Sequence, residues 1–328
     1  MFIKVYHSFC GEEKLIINGH VFQHEPIHFD VKDSWLGSNI KSLLTLFRVK
    51  PLTEVKLKIH FFNQIIDSKS DENGYFMFEC KPANSIPHGW HSCQVKAIDN
   101  DGNEITHSEG KFFKPYKTSH GIISDIDDTV LKSYSASIFR RLYEMISKNP
   151  EERKLFDHTV EWYRKLAETE VPGEESNSFF YVSSSEWNLY DYLNTIFKKH
   201  QLPEGIFLLN DLKKLKDFFQ TGKTGHQGKY DRIKSLLEAF PNQNYILIGD
   251  NTQRDPYIYK KISLDFPGRI IAVFLRNKSK KNAVKTQKLL SEMCVEKQRV
   301  LLFDTTLQAL KKSKEWGLID YKIDEYIF

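Results

Sequence analysis

The sequence predicts an α/β protein in which a small all-β sandwich domain precedes a parallel sheet with helices on both faces. Two observations support this prediction. Residues 1–116 hold short or alternating apolar runs that turn-rich segments separate. Residues 117–328 hold apolar runs of about five residues that alternate with helical patterns, as in parallel sheets. A chain of 328 residues is long enough for two such domains.

Short strands are predicted in the first domain at residues 14–17, 19–23, 55–62, 75–79 and 94–98. The pairs Asn73-Gly74 and Asp101-Gly102 lie at their ends, and such pairs mark turns between antiparallel strands. Short strands with this punctuation are typical of a β-sandwich. Pro115 begins the segment that we expect to lead out of the domain.

In the second domain, strands are predicted at residues 121–125, 179–183, 205–209, 245–249, 269–275 and 300–303. Between them, apolar residues recur at helical spacing, as at Leu189, Leu193 and Ile196. In a parallel sheet the reactive groups lie beyond the carboxyl ends of the strands. We therefore expect the chemistry of this protein where these apolar runs end.

A long helical insertion is predicted at residues 133–172, between the first and second of these strands. Ile138 and Leu142, and later Trp162 and Tyr163, give it apolar faces. Its position suits a helical cap over the site, which could select the substrate. The alternative is that the insertion packs on the edge of the sheet.

Composition and charge exclude some classes of function. The formal net charge of +4 is too small to indicate a nucleic-acid-binding domain. No run reaches the roughly 18 apolar residues of a membrane-spanning helix. The first ten residues lack the pattern of a secretory signal, and the four cysteines are scattered without paired spacing. We therefore expect a cytoplasmic protein that meets a membrane only at its surface.

One segment is strongly basic. Residues 276–288 contain six basic residues and no acidic one. Such a run is usually the solvated face of a helix. The alternative is that it attracts an anionic membrane, which contributes about 1 kcal/mol for each basic residue near the surface.

The end of the first predicted strand of the parallel sheet holds three carboxylates, Asp125, Asp127 and Asp128, followed by Thr129. Carboxylates this close repel one another unless a cation is present, and Mg²⁺ prefers oxygen ligands of this kind. Asp125 could attack phosphorus, while Asp127 protonates the leaving oxygen and later activates water. The alternative is an acidic cluster that caps the N-terminus of a helix.

Serines follow the second predicted strand of this sheet. The hydroxyl groups of Ser183 and Ser184, with the neighbouring backbone N–H groups, suit the oxygens of a phosphate at a strand end before a helix. The alternative is a purely structural role, in which Ser185 caps the helix that begins near Glu186.

Asp250 follows Gly249 at the end of the fourth predicted strand, and Asp255 lies five residues later. Gly249 would let the backbone turn tightly. One carboxylate could complete a metal shell while the other holds a bound water or orients Lys229. Lys229 opens the preceding helix, where it could offset the charge of nucleophile and phosphate together. The alternatives are an ordinary turn and an exposed lysine.

The order of these motifs is more specific than any one of them. Asp-x-Asp-x-Thr, a serine strand end, a lysine helix and Gly-Asp-x-x-x-x-Asp match the four-motif pattern of haloacid dehalogenase phosphatases. Within that superfamily, residues 121–130, 181–190 and 247–256 resemble the actin-patch-protein family of phosphatidate phosphatases. The β-rich segment before them resembles the one in bacterial members. The chain departs from the family pattern at three positions, which are Glu186, Gly228 and Asn251.

This resemblance implies a haloacid-dehalogenase-like fold and Mg²⁺-dependent hydrolysis of phosphatidate, a phospholipid, to diacylglycerol and phosphate. Asp125 would be the nucleophile that is transiently phosphorylated, and Asp127 the general acid and then the base. The residues implied to contact the substrate are Thr129, Ser183, Ser184 and Lys229. The residues implied to bind the metal are Asp125, Asp127, Asp250 and Asp255.

Two other functions are compatible with the same residues. The chain could hydrolyse a water-soluble phosphate ester, such as a nucleotide or a sugar phosphate. It could also be a non-catalytic module that binds phosphorylated ligands. The presence of both Asp125 and Asp127 argues against the module, because a protein that only binds needs neither nucleophile nor acid.

Overall fold

The computed structural model describes residues 1–25, 50–82, 86–127, 129–130, 155–168, 176–210, 225–252, 254–294 and 298–319. These residues form an N-terminal sheet of eight strands and a parallel sheet of six strands. The protein is therefore α/β, with the two sheets in the order that the sequence predicts.

The strands of the N-terminal sheet are β1 (Phe2–Val5), β2 (Ser8–Cys10), β3 (Leu15–Phe22), β4 (Lys56–Phe61), β5 (Gln64–Lys69), β6 (Tyr75–Cys80), β7 (Gly89–Ile98) and β8 (Glu104–Lys114). Their order is β1-β3-β2-β8-β7-β4-β5, and β6 also pairs with β3. The sheet is mixed, because β2 and β8 run parallel whereas the other pairs are antiparallel.

Two features of the N-terminal sheet differ from the prediction. The strands predicted at 14–17 and 19–23 form one strand, β3. Gly19 lies within this strand, at a point where a Cβ atom would be 2.1 Å from the carbonyl oxygen of Lys4, so the glycine allows the neighbouring strand to come close. The eight strands also belong to one hydrogen-bonded sheet, whereas a sandwich has two. The sandwich and the boundary at residue 116 therefore stay predictions.

The strands of the parallel sheet are β9 (Gly121–Ser124), β10 (Phe179–Glu186), β11 (Ile206–Asn210), β12 (Tyr245–Asp250), β13 (Ile270–Arg276) and β14 (Arg299–Phe303). Their order is β11-β10-β9-β12-β13-β14, and every pair is parallel. The chain runs outward from β9 to β11, and then from β12 to β14 on the other side. The reversal opens a crevice between the carboxyl ends of β9 and β12, where ligands bind in such sheets.

The described helices are α1 (Thr159–Ala167), α2 (Tyr190–Lys199), α3 (Gly225–Ala239), α4 (Asp255–Asp265), α5 (Lys280–Cys294) and α6 (Thr306–Glu315). A single 3₁₀ turn, Trp187–Leu189, precedes α2. Consecutive strand residues point to opposite faces, so that Ile122 packs with α1, α2 and α6, and Ile123 packs with α3, α4 and α5. This confirms a parallel sheet with helices on both faces.

Helix α1 corrects part of the cap prediction. Trp162 and Tyr163 are fully buried, and the Trp162 indole donates a hydrogen bond to the Ser313 hydroxyl on α6 at 2.9 Å. α1 therefore packs on the sheet instead of covering the site, because its apolar residues occupy one face of the helix. Residues 133–154 and 169–172 lie outside the described residues, and the cap stays a prediction for them.

The N-terminal sheet contacts the segment that directly follows β10. The ring of Tyr6 stacks on Trp187 with centroids 4.0 Å apart. The Lys4 ammonium group lies 2.5 Å from a carboxylate oxygen of Asp191 in the first turn of α2. The two sheets are therefore joined close to the predicted serine motif.

Candidate active site

Three aspartates converge in the crevice between β9 and β12. Asp125 follows β9, Asp250 ends β12, and Asp255 begins α4. All three are buried, and each offers a carboxylate oxygen within 4.8 Å of the others. The structure thus places together the two strand ends on which the sequence prediction depends.

Gly249 allows this convergence, although in a different way from the predicted one. It lies within β12 and makes no turn. A Cβ atom at this position would lie 2.5 Å from a carboxylate oxygen of Asp255 and 2.9 Å from the Tyr259 ring. The missing side chain therefore lets the first turns of α4 approach the strand. Tyr259 secures that approach by donating a hydrogen bond to the Ile248 carbonyl at 2.8 Å.

Lys229 on α3 neutralises part of the acidic cluster. Its ammonium group donates hydrogen bonds to Asp125 at 2.8 Å and to Asp255 at 2.6 Å. The side chain is only 4% exposed, which separates it from ordinary surface lysines. The orientation of Lys229 by Asp255, one of the two possibilities left open by the sequence, is the one that the structure shows.

Burial and crowding oppose ionisation of the aspartates. Burial raises the pKa of Asp125 well above its usual value, against the opposing effect of Lys229. Burial also raises the pKa of Asp250 to about 7, and the charge of Asp255 acts in the same direction. Desolvation lowers the pKa of Lys229, but its two carboxylate partners raise it more, so the lysine stays protonated.

Asp127 makes its described contacts with the serines of β10, and its role as a metal ligand stays a prediction. Its Oδ2 accepts hydrogen bonds from the hydroxyl groups of Ser183 at 3.2 Å and Ser185 at 3.0 Å. Among the described residues, the group with metal-ligand spacing is formed by the other three aspartates and does not include the Asp127 carboxylate. The physical reason is that the serines on β10 turn this side chain toward their own strand.

The serines of β10 differ in their surroundings, and their predicted contact with a phosphate stays a prediction. Ser183 is fully buried and contacts Asp127, whereas Ser184 is half-buried and the structure describes no such contact for it. Ser185 was expected only to cap a helix, but its hydroxyl bonds to Asp127 instead. A serine two residues from Ser183 on the same strand faces the same side of the sheet, so the strand period alone could have identified Ser185.

Thr129 supports the aspartate at the end of β9. Its hydroxyl donates to Asp125 Oδ2 at 3.3 Å, so its described contact is with the predicted nucleophile. Asp128, the third carboxylate of the motif, lies outside the described residues.

Sequence reasoning missed Arg276. This last residue of β13 is 3% exposed, pairs in register with Asp250, and donates to the Thr129 carbonyl at 3.3 Å. Burial lowers the pKa of Arg276 to about 10, and Asp250 opposes that shift. Arg276 therefore belongs to the interior beside the site and not to the basic surface run. The signal that could have identified Arg276 is its position directly after the apolar run of β13.

The donor set fits a divalent cation. Four buried aspartates lie at this end of the sheet with two buried basic residues, Lys229 and Arg276. Three buried carboxylate oxygens have no hydrogen-bond partner among the described residues, namely Asp127 Oδ1, Asp250 Oδ2 and Asp255 Oδ2. Unpartnered buried oxygens of this kind are costly, and a hard cation such as Mg²⁺ would satisfy them.

Comparison with known proteins identifies the region that holds these residues. Residues 120–277 match the family model described as the catalytic domain of phosphatidate phosphatase APP1. The phosphatidate phosphatase APP1 of Saccharomyces cerevisiae is 29% identical over 157 residues, which are 48% of this chain and 25% of that protein. An uncharacterized protein of Schizosaccharomyces pombe is 25% identical over 180 residues, which are 52% and 28% of the two chains. The chain thus spans only about a quarter of these relatives' length.

Solved structures resemble the chain only weakly. A purple acid phosphatase from yellow lupin seeds aligns with 84% of this chain and 58% of its own, at 6% identity and a TM-score of 0.33. A calcium-binding mutant of Bacteroides uniformis beta-glucuronidase 2 aligns with 97% of this chain and 43% of its own, at 10% identity and a TM-score of 0.25. At these scores neither structure informs fold or function.

Proposed function

Since residues 120–277 match the family model of the APP1 phosphatidate phosphatase catalytic domain, we propose that this chain is a Mg²⁺-dependent phosphatase that hydrolyses phosphatidate to diacylglycerol and phosphate. The observation that carries the proposal is the buried group of Asp125, Asp250 and Asp255 with Lys229 between two of them. Such a group combines a nucleophile, a cation site and a fixed positive charge.

Asp125 is the proposed nucleophile. One of its oxygens attacks phosphorus, the new P–O bond to the aspartate forms, and the bond from phosphorus to the lipid oxygen breaks. The hydrogen bonds from Lys229 and Thr129 fix the carboxylate in one orientation. Fixing the attacking group before the reaction lowers the entropic part of the barrier.

Asp127 is the proposed general acid and base. It gives a proton to the leaving lipid oxygen, then takes a proton from the water that attacks phosphorus and releases phosphate from Asp125. Ser183 and Ser185 occupy only its Oδ2, so its Oδ1 is free to exchange this proton. The hydroxyl groups of Ser183 and Ser185 and the carboxyl group of Asp127 are all buried, so bulk water does not compete for the transferred proton.

Asp125, Asp250 and Asp255 are the residues proposed to hold Mg²⁺. When bound, the ion would offset the negative charge of the phosphate and the attacking carboxylate. Lys229 contributes a permanent positive charge that contacts both Asp125 and Asp255. The buried Arg276 adds another beside Asp250.

The fold and location follow the same proposal. We assign the parallel sheet to the haloacid-dehalogenase-like class, which is supported by the order of the motifs at the ends of β9, β10 and β12. Within the described residues, none of the helices combines the length and apolar character needed to cross a bilayer. The cytoplasmic location stays a prediction.

The proposal is tested by phosphate release from phosphatidate in detergent micelles and from a panel of water-soluble esters, with Mg²⁺ and with a chelator. Asp125→Asn should lower turnover by about 10⁴-fold or more, and Asp127→Asn by about 10²–10⁴-fold. Both variants are isosteric, so the fold should remain. Asp67→Asn, at a carboxylate that is 84% exposed, is the matched control.

Each alternative has its own outcome. Turnover of a soluble ester with none of phosphatidate would replace the lipid substrate. Binding of phosphorylated ligands without any turnover would favour the non-catalytic module. Full activity of Asp125→Asn would remove the mechanism. Asp128→Asn is expected to be milder than either of the other two substitutions.

A further inference from the structure

Helix α5 presents a basic surface with an exposed apolar residue in its middle. Lys281, Val284, Lys285 and Lys288 recur at the spacing of one helical face, and all four are exposed. Val284 is 83% exposed, the most of any large apolar residue in the described chain. A face of this composition differs from an ordinary solvated one, in which acidic and basic residues alternate.

An aromatic ring on α4 extends this surface. Tyr257 is 40% exposed, and the Lys285 ammonium group lies 5.1 Å from the centre of its ring. Tyrosine is enriched where protein meets the polar layer of a membrane, because the ring is apolar and the hydroxyl polar. We call Tyr257, Lys281, Val284, Lys285 and Lys288 the basic face.

Hydrogen bonds fix the basic face beside the active site. Asn282, in the first turn of α5, donates to the Asn251 carbonyl at 2.7 Å. The Asn251 side chain donates to the Ser279 carbonyl at 2.9 Å and accepts from the Ser279 N–H at 2.7 Å. Asn251 directly follows Asp250, and Tyr257 lies two residues after Asp255. The start of the basic face is therefore held at the same end of the sheet as the catalytic aspartates, and the rest of it continues along α5.

The charge of this surface is unopposed along its length. Residues 276–288 contain no acidic residue. The acidic residue of α5, Glu292, lies one turn beyond Lys288 and pairs with Lys260. The positive charge of these basic residues therefore faces solvent, where it would attract a large anionic partner.

We propose that the basic face docks on an anionic membrane surface and brings the active site to the lipid plane. This inference rests on the proposed function, because it explains how the active site would reach a lipid substrate. Val284 and Tyr257 favour a membrane over a nucleic acid, since they add apolar contacts that a phosphate backbone does not use. Surface lysines contribute through long-range attraction.

The test is cosedimentation of the full chain with phosphatidylcholine vesicles that contain phosphatidylserine and no phosphatidate, so that binding does not depend on the active site. The triple variant Lys281→Gln, Lys285→Gln, Lys288→Gln should bind roughly 100-fold more weakly, because each lysine contributes about fivefold. The triple variant Lys56→Gln, Lys111→Gln, Lys311→Gln removes the same charge from exposed positions elsewhere and should bind like the wild type.

Several results would overturn the inference. These are absence of binding by the wild type, equal loss in both triple variants, and retention of single-stranded RNA but not of vesicles. Folding is checked by the thermal midpoint, which should not change because all six lysines are exposed. Phosphate release from phosphatidate in detergent micelles tests the proposed function separately. Vesicle binding without release would remove that function and leave the docking surface intact.

Discussion

The two sheets bury polar groups of different kinds. At the carboxyl ends of β9 and β12, Asp125, Asp250 and Lys229 are ionisable groups held in the interior, and carboxylate oxygens there have no hydrogen-bond partner in the described part of the chain. In the N-terminal sheet, His20 is 1% exposed and pairs with the Tyr6 hydroxyl at 3.0 Å. Burial lowers the pKa of His20 to about 3, so this pair is neutral.

This difference distinguishes the sheet that holds the candidate site from the sheet that supports it. A neutral buried pair with satisfied hydrogen bonds costs little and fixes the packing of its surroundings. A buried cluster with more negative than positive charge costs stability and persists where chemistry or a bound ion requires it. The parallel sheet therefore contains the site, and the N-terminal sheet supports it through the stacking of Tyr6 on Trp187.

Removing the positive charge of the cluster is expected to affect turnover and stability together. Lys229→Met leaves Asp125 and Asp255 without their shared donor, so turnover should fall by about 10³-fold and unfolding free energy by about 3–5 kcal/mol. Phosphate release and chemical denaturation measure the two effects. Lys234→Met is the control, because this lysine lies on the same helix and its side chain is 47% exposed.

The control variant also defines the result that would contradict the contrast between the two sheets. A surface pair such as Lys234 with Glu238 contributes at most about 1 kcal/mol. If Lys229→Met proved as mild as Lys234→Met, the buried cluster would not be ionised as the hydrogen bonds indicate, and the contrast between the sheets would fail.

A smaller effect is expected at the serines of β10. Ser185→Ala removes one of the two hydroxyl donors to Asp127, and a hydrogen bond to a charged group contributes about 1.5–3 kcal/mol. We expect kcat to fall roughly 10–100-fold with little change in KM. Ser184→Ala should instead raise KM, because Ser184 is predicted to contact the phosphate. The same change in both variants would mean that Ser185 does not act through Asp127.

The parallel sheet was predictable because its strands are local patterns. Each strand is a buried apolar run, so the run predicted at 245–249 is found as Tyr245–Asp250. In the N-terminal sheet, Gln64–Lys69 and Glu104–Lys114 were missed. Their exposed positions are mainly polar, and they become strands through hydrogen bonds to neighbours that are distant in sequence.

The site was predictable to the same extent. Asp125 and Asp250 end strands that parallel pairing places side by side, so their meeting follows from topology. The burial of Arg276 depends on the register between β12 and β13 and on the Phe156 ring, 3.9 Å from its guanidinium. Neither feature can be predicted from the residues next to Arg276 in the sequence. The basic run that continues past the strand made Arg276 resemble a surface residue.

The smallest effect tests the neutral side of the comparison. His20 is buried and its pKa falls from 6.5 to about 3 on folding, so the unfolded chain binds a proton that the folded chain does not. Stability should therefore fall as pH decreases below 6.5, by up to about 1.4 kcal/mol per pH unit from this residue. His20→Gln keeps a polar side chain near Tyr6, and this side chain does not titrate. The stability of the variant should therefore depend less on pH between 6.5 and about 3.

The measurement is the difference between the chemical-denaturation free energies of the wild type and His20→Gln at a series of pH values, because the acidic residues that also titrate are common to both. A difference between wild type and His20→Gln that is constant from pH 7 down to about pH 4 would mean that His20 is protonated in the folded chain. The N-terminal sheet would then also contain a buried charge, and charge alone would no longer distinguish the sheet that holds the site.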